Sequence, residues 1–524
     1  MNDPIQASPD ALFALAAKAE RLGDDETAAK RYGEAIAADP GHFQARHNLA
    51  VVLTRLGRIA DAIAAARGAC ELAPGHPVVH FTLGVALERA GEINEAIGEY
   101  RHAQYLRPNY IDAANNLGRL FNLVGEPSAA AEVLEPAVRR RPDHAAARVN
   151  LGNAYLELGL PDAAVEQFTG ALVSQPGLAA AQNSLAVAQS LLGRAEAAID
   201  GFRAAIELQP DNAEAHENLA LELLRKGNFG EGWKEYEWRW RNPSNAMTKR
   251  EFPASLWDGR PLNGKSILIL AEQGYGDALQ FVRYVPLVAD MGGRVNLECR
   301  ARLVRLFATV RGVERVVELG GEPPDGIDFC VPMLSLPHMF GTTAGKIPAL
   351  VPYLAVPGGA EGGALPDDDA FNVGITWSGA PRFAGDAYRD RSCPANLFAR
   401  LAGIDGVRLI NLQIDAGAED LAATGATSNP LSSDFDFART AATLQQTDLV
   451  ISVDTAVGHL AGALAKPCWL LLPFAAGHQW MTGRDDSPWY PHHRLFRQSK
   501  PGDWGPVFAR VADQLRVLTT KRRS

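Results

Sequence analysis

Small apolar residues recur along the first part of the chain at a spacing that no single helix or strand produces. Ala28, Ala62, Ala96, Ala130, Ala164 and Ala198 stand 34 positions apart, and so do Ala35, Ala69, Ala103, Ala137, Ala171 and Ala205. Each period also holds one glycine (Gly23, Gly57, Gly91, Gly125, Gly159, Gly193) and one proline (Pro40, Pro74, Pro108, Pro142, Pro176, Pro210). The pattern predicts a stack of helix pairs. Alanine sits where paired helices approach too closely for a larger side chain. Glycine serves the turn after the first helix, where a left-handed backbone costs little without a Cβ. Proline closes the second helix.

A 34-residue period with this punctuation resembles the tetratricopeptide repeat. With proline as the thirty-second position, the repeats run 9–42, 43–76, 77–110, 111–144, 145–178 and 179–212, and a seventh begins near Ala213 and loses the pattern after Gly227. Trp233, Trp238 and Trp240 fall within eight residues of one another there. Three indoles are costly to leave in water, so this segment is expected to be a cap that docks the solenoid onto the C-terminal half of the chain.

The sixth position of the repeat carries Asn48, Asn116, Asn150 and Asn218, with Thr82 and Ser184 filling the gaps. It lies on the first helix of each repeat, which lines the inner surface of a tetratricopeptide superhelix. Such amides either solvate a helix face or donate to and accept from an extended peptide. A similar asparagine ladder is a feature of the O-GlcNAc transferases, and that resemblance implies a protein acceptor held by these four residues.

After Arg241 the periodicity changes to alternating strands and helices. Pro243, Pro253 and Pro261 mark a linker over 243–265. Strands are predicted at Ser266–Ala271, Arg294–Glu298, Val313–Leu319 and Asp328–Val331, with an amphipathic helix over Ala278–Met291. A loop rich in glycine, proline and acid then separates a second set: Asn372–Trp377, Val407–Gln413, Asp448–Asp454, Cys468–Leu472 and Arg494–Phe496, closed by a helix over Val507–Leu518. The expected organisation is a helical solenoid over 1–242, an α/β Rossmann-like domain over 266–356, an interdomain loop over 357–371 and a second Rossmann-like domain over 372–524. Two such domains in sequence are how a GT-B glycosyltransferase is laid out.

Two motifs lie where open α/β sheets bind ligands, at a strand's carboxyl end and the following helix N-terminus. The first is Glu272, Gln273, Gly274, Tyr275, Gly276, Asp277. Its glycines admit close approach of a substrate, and Asp277, expected to be held ionised by the helix dipole, either caps the helix or accepts a proton from an acceptor hydroxyl. The second runs from Ser452 to Leu460 through Asp454, Thr455, Ala456, Gly458 and His459. Free amides there suit a diphosphate, His459 is expected to add a donor, and Asp454 is either an N-cap or a partner for sugar hydroxyls.

Together the motifs look like the superfamily of the ADP-heptose heptosyltransferases, over residues 266 to about 500. The resemblance implies that Asp277 is the catalytic base, that Gly274 and Gly276 with Asp454, Thr455, Ala456, Gly458 and His459 bind the donor, and that Arg391 neutralises its diphosphate, although the family uses lysine there. Ala456 replaces a family glycine. The whole chain also resembles bacterial tetratricopeptide proteins with a glycosyltransferase-like C-terminal half.

Weaker candidates are Trp377, Ser378 and Gly379 as cleft floor, Ser487–Pro491 as a stacking loop or interdomain packing, and Glu272 or His338 as substitute bases. No Asp-x-Asp of the GT-A type follows a strand, so transfer without a metal or other cofactor is expected.

The chain has 524 residues and a formal charge of −10 with no basic stripe, which argues against a nucleic-acid partner. It shows no signal-peptide pattern and no long apolar run, and its five cysteines are dispersed without metal-ligand spacing, so a cytoplasmic protein with reduced thiols is expected. The resulting expectation is an inverting transferase moving a sugar from a nucleotide donor to an acceptor, a protein, chosen by the solenoid. The competing readings are a non-catalytic adaptor with a decayed donor site and a nucleotide-sugar epimerase, which would not need a solenoid.

Overall fold

The computed structural model describes residues 8–243, 250–366, 368–379, 388–414, 416–427, 431 and 436–523. The first helices are α1 (Pro9–Arg21), α2 (Asp25–Ala38), α3 (Phe43–Arg55), α4 (Ile59–Leu72), α5 (Pro77–Ala90), α6 (Ile93–Leu106), α7 (Ile111–Leu123), α8 (Pro127–Arg140), α9 (Ala145–Glu157), α10 (Pro161–Ser174), α11 (Ala179–Leu191), α12 (Ala195–Leu208), α13 (Ala213–Lys226) and α14 (Phe229–Tyr236). They form one antiparallel pair per 34 residues, as the spacing predicts. The turn glycines from Gly23 to Gly227 all have φ between 68° and 86°, the left-handed region that opens a helix end cheaply only without a Cβ. The alanines of the twelve paired positions are buried.

A further rule governs the packing within pairs. A Cβ on Gly84, Gly118 or Gly152 would stand 2.7, 2.4 or 2.5 Å from Tyr100, Leu134 or Phe168, sixteen residues on. The eighth position of the repeat is therefore small because the facing helix presents its largest core side chain there.

The chain divides into two compact units, Met1–Ala188 and Gln189–Ser524, with the division inside α11. The sequence boundary at 242 lies well beyond it. The last helices pack with the α/β half because α13 and α14 bury Leu224, Phe229, Trp233 and Tyr236 in the same core as Ile269, Phe281 and Trp489.

The second unit continues through β1 (Ser255–Leu256), β2 (Ser266–Leu270), α15 (Tyr275–Phe281), α16 (Val285–Asp290), β3 (Arg294–Cys299), α17 (Val304–Phe307), β4 (Val313–Glu318), β5 (Phe329–Pro332) and α18 (Leu336–Met339). After them come β6 (Phe371–Thr376), α19 (Ala399–Ala402), β7 (Val407–Asn411), α20 (Ala418–Thr424), α21 (Phe437–Gln445), β8 (Leu449–Val453), α22 (Ala456–Ala463), β9 (Cys468–Leu472), β10 (His493–Arg497) and α23 (Gly505–Arg523).

Two five-stranded sheets result, in the orders β1-β5-β2-β3-β4 and β10-β9-β8-β6-β7, with every strand pair parallel. The strands β2, β8 and β9, apolar apart from Ser266 and Ser452, are buried throughout, as parallel strands covered on both faces must be.

Two local expectations are corrected. The linker contributes the edge strand β1, which extends the first sheet beside β5. The single helix expected over Ala278–Met291 is three short pieces, α15, a 3-10 turn at Val282–Tyr284 and α16, because Pro286 lacks the amide that would continue the ladder.

Candidate functional site

The strand order reverses beside β2 in the first sheet and beside β6 in the second, and the crevice at that point is where α/β folds take ligands. In the first sheet it opens between β2 and β5, and the protein fills it itself. Arg239, which follows α14 and has no exposed surface, reaches in to bond Glu272 Oε1 at 2.9 Å and Ser335 Oγ at 2.8 Å, with Glu237 Oε1 at 2.7 Å. Glu272 Oε1 also accepts from the Leu334 amide at 3.0 Å. Burial raises the pKa of the Glu272 carboxyl, and the Arg239 charge opposes that shift only in part. Glu272 is thus the buried partner of Arg239. His338 lies exposed on α18.

The neighbouring loop faces the second domain. Gln273 adopts φ 63° and donates to the Tyr236 hydroxyl at 2.6 Å, so the aromatic cap holds the loop from behind. Gly274 is the N-cap of α15, and its amide donates to Asp277 Oδ2 at 3.1 Å. Asp277 therefore does cap the helix, as half of a capping box, since glycine has no side chain to reciprocate. The helix N-terminus does not set the pKa of Asp277. Burial, aided by the Asp454 charge and opposed by the Gly274 amide and Arg391, lifts its carboxyl to about 6. Desolvation here outweighs the helix dipole.

In the second sheet the crevice opens between β6 and β8, whose Thr376 and Ser452 are partners in register and share a 2.6 Å hydroxyl bond. Thr455 is the N-cap of α22, and its hydroxyl joins this cluster, 3.0 Å from Ser452 Oγ. Asp454 is consequently not the cap. It is buried, with His459 Nε2 at 3.8 Å and Gln479 Nε2 at 3.5 Å, and burial raises its pKa against the pull of Arg391. Ala456 takes the first helical position, where its dihedrals require no glycine. The amides of Ala456 and Val457 precede the first internal bonds of the helix.

His459 is held by the Tyr490 hydroxyl at Nδ1, 2.9 Å away, and packs on Trp480. Burial and the nearby charges of His493, Arg283 and Arg391 push its pKa well below the ordinary value, so it is a neutral imidazole. Gly458 serves packing: a Cβ there would meet Leu470 at 2.8 Å, and its carbonyl accepts from His493 Nε2 at 3.1 Å. Arg391 runs across Gly379, where a Cβ would stand 2.4 Å from its Nε, so the glycine of the Trp377–Gly379 turn gives the guanidinium its path. Trp377 is core, not cleft floor.

Arg283 is the residue the sequence did not single out. It is buried between the domains, donates to the Trp489 carbonyl at 2.7 Å and the Tyr353 hydroxyl at 2.9 Å, and lies over the rings of Trp489 and Tyr490. The Ser487–Pro491 loop is accordingly interdomain packing. Only the long separation of these residues hid the contact.

Within the solenoid, Asn48 and Asn116 donate to the hydroxyls of Tyr32 and Tyr100 at 3.1 and 3.2 Å, and Asn150 to Asn115 at 3.0 Å. Asn218 is half-buried on α13. Each bonded amide is thus engaged inside the protein, and the Asn116 oxygen also accepts from Asn115 at 3.3 Å. A groove of about 520 Å³ in the first unit is lined by Lys30, Arg46, Leu49 and Leu53 rather than by the asparagines. Among the described residues no helix is long and apolar enough to cross a membrane.

Comparison with known proteins matches residues 13–77, 115–179, 160–211 and 184–236 to a tetratricopeptide-repeat family model. Protein FlbA of Caulobacter vibrioides is 28% identical over 335 residues, covering 57% of this chain and 54% of FlbA, so the chain spans about half the length of that relative. Among solved structures, YrrB, described as a tetratricopeptide protein with an unusual peptide-binding site, is 24% identical over 36% of this chain and 96% of its own, with a TM-score of 0.33. MamA is 27% identical over 32% of this chain and 92% of its own, with a TM-score of 0.30. Repeat spacing, glycine turns, helix pairs and family match agree: the first 240 or so residues carry tetratricopeptide repeats.

Proposed function

We propose that the protein is an inverting glycosyltransferase of GT-B layout that moves a sugar from a nucleotide donor to a protein acceptor chosen by its repeats. The observation that supports it most is Asp277. It is a partly exposed carboxyl with a pKa lifted to about 6, at the first sheet's strand end and within electrostatic reach of Arg391 and Asp454 at the second sheet's crevice. A base of that pKa is mostly ionised at neutral pH yet basic enough to take a proton from a hydroxyl as it attacks. The Ala456 and Val457 amides with Arg391 would stabilise the departing diphosphate, where negative charge develops. With Arg239 filling the first crevice, the second is the one available to the donor.

The repeats equally support a second reading, a protein-binding adaptor without catalysis. Thermal-shift measurement of the full chain against a panel of nucleotide sugars separates the two, since a donor that binds the native state raises its stability by mass action. A rise followed by sugar transfer to a captured protein supports the transferase. No response to any donor favours the adaptor.

A further inference from the structure

The fourth position of the repeat has a structural duty. Arg46, His80, Arg148 and His216 all bond the carbonyl of the proline six residues earlier, and three of them reach a polar residue nineteen positions on, Glu99, Gln167 or Glu235. His80 and His216 are the matching pair. His216 lies 2.5 Å from Glu235 and 3.1 Å from the Pro210 carbonyl, and a proton satisfies that arrangement.

The surroundings of His80 add two donors to it, one from the second repeat and one from the third. Cys70 on α4 and His102 on α6 stand where the surroundings of His216 have Ile206 and Trp238. The ligand atoms of Cys70, His80 and Glu99 all lie within 4.8 Å of one another. The His102 ring is 4.2 Å from that of His80, centroid to centroid. His80 Nε2 faces the Pro74 carbonyl at 2.9 Å, which places a proton on that nitrogen, and Nδ1 faces Glu99, 2.7 Å away. A proton satisfies that contact as it does at His216, and a backbone carbonyl orienting the far nitrogen is also how metal-ligating histidines are held.

We propose that Cys70, His80 and Glu99, with His102 closing the fourth position by a side-chain rotation, form a structural zinc site that ties α4 to α5 and α6. A sulfur, an imidazole and a carboxylate suit zinc in tetrahedral geometry, where neighbouring ligand atoms stand about 3.4 Å apart. Zinc binding would open the His80–Glu99 pair from its present 2.7 Å and draw Cys70 toward it. The sequence hid the site because its ligands come from three helices and follow no short motif.

The test uses the untagged full chain titrated with Zn²⁺ against a chromophoric chelator, and with Co²⁺ as a spectroscopic stand-in. One Zn²⁺ per chain is expected, with a sulfur-to-cobalt charge-transfer band in the Co²⁺ form. Cys70→Ser should remove the band and weaken Zn²⁺ at least tenfold, and Glu99→Gln should weaken it while keeping the band. No stoichiometric Zn²⁺, no thiolate band in the parent, or unchanged affinity in Cys70→Ser would each overturn the site. The parent's Co²⁺ spectrum decides the matter even if a variant does not fold.

Discussion

Gly276 and His459 meet face to face: a Cβ added to the glycine would stand 2.9 Å from the imidazole Cδ2. The helices α15 and α22, one from each α/β domain, touch at their first turns through this pair. His459 cannot yield, because Tyr490 bonds it and Trp480 packs against it. Gly276→Ala should therefore destabilise the protein by about 1–3 kcal/mol, the cost of overpacking. Denaturant unfolding measures it, and a change within error would mean that the two helices part freely.

Asp277→Asn should lower transfer about a hundredfold or more while leaving donor affinity nearly unchanged, since the amide still caps but cannot take a proton. The parent's rate should fall as pH drops through about 6. Stability gives an independent sign. A carboxyl whose folded pKa is raised costs nothing below its unfolded value near 3.8, and the penalty grows as pH rises to its full size above about 6. The Asn variant should melt higher than the parent at pH 8 and not at pH 4. Equal melting at both would place Asp277 in an ordinary solvated setting.

Arg391→Ala should weaken nucleoside diphosphate binding by about 1.5–3 kcal/mol, the value of a charge-assisted hydrogen bond. Titration calorimetry reads this directly, and unchanged affinity removes Arg391 from the donor site.

Arg239→Ala should destabilise by about 3–5 kcal/mol because it strands the buried Glu272 charge. The double variant Arg239→Met with Glu272→Gln should recover part of that loss, since no uncompensated charge remains. A double variant worse than the single would assign the cost to lost shape instead.

Replacing Asn48, Asn116, Asn150 and Asn218 with alanine should keep the helices folded and raise the KM for a protein acceptor, each lost bond contributing about 0.5–1.5 kcal/mol. Donor hydrolysis without acceptor should not change. An unaltered KM would free the inner face of the repeats from any part in acceptor choice.

What the sequence made legible was whatever rests on local rules. The turn glycines, the crossing alanines, β9 at its exact ends and the docking of Trp233 all follow from periodicity, backbone conformation and the cost of exposed indole. Charge state was not legible, because the sign of a pKa shift depends on how much water remains. Asp277 was placed correctly at a helix N-terminus, yet burial reverses the direction that position alone implies. Arg239, Arg283 and Cys70 were missed or passed over because their partners lie far along the chain or on other helices.

The division inside α11 decides how this molecule can be taken apart or recombined. A fragment cut at residue 243 would lose Arg239 and leave the buried Glu272 with no counter-charge. It would also bare the surfaces of Phe281 and Trp489 that Trp233 covers. Exchange of one repeat array for another therefore has a natural splice near residue 189. The last repeat and its cap travel with the α/β half, as part of the inherited body of that half.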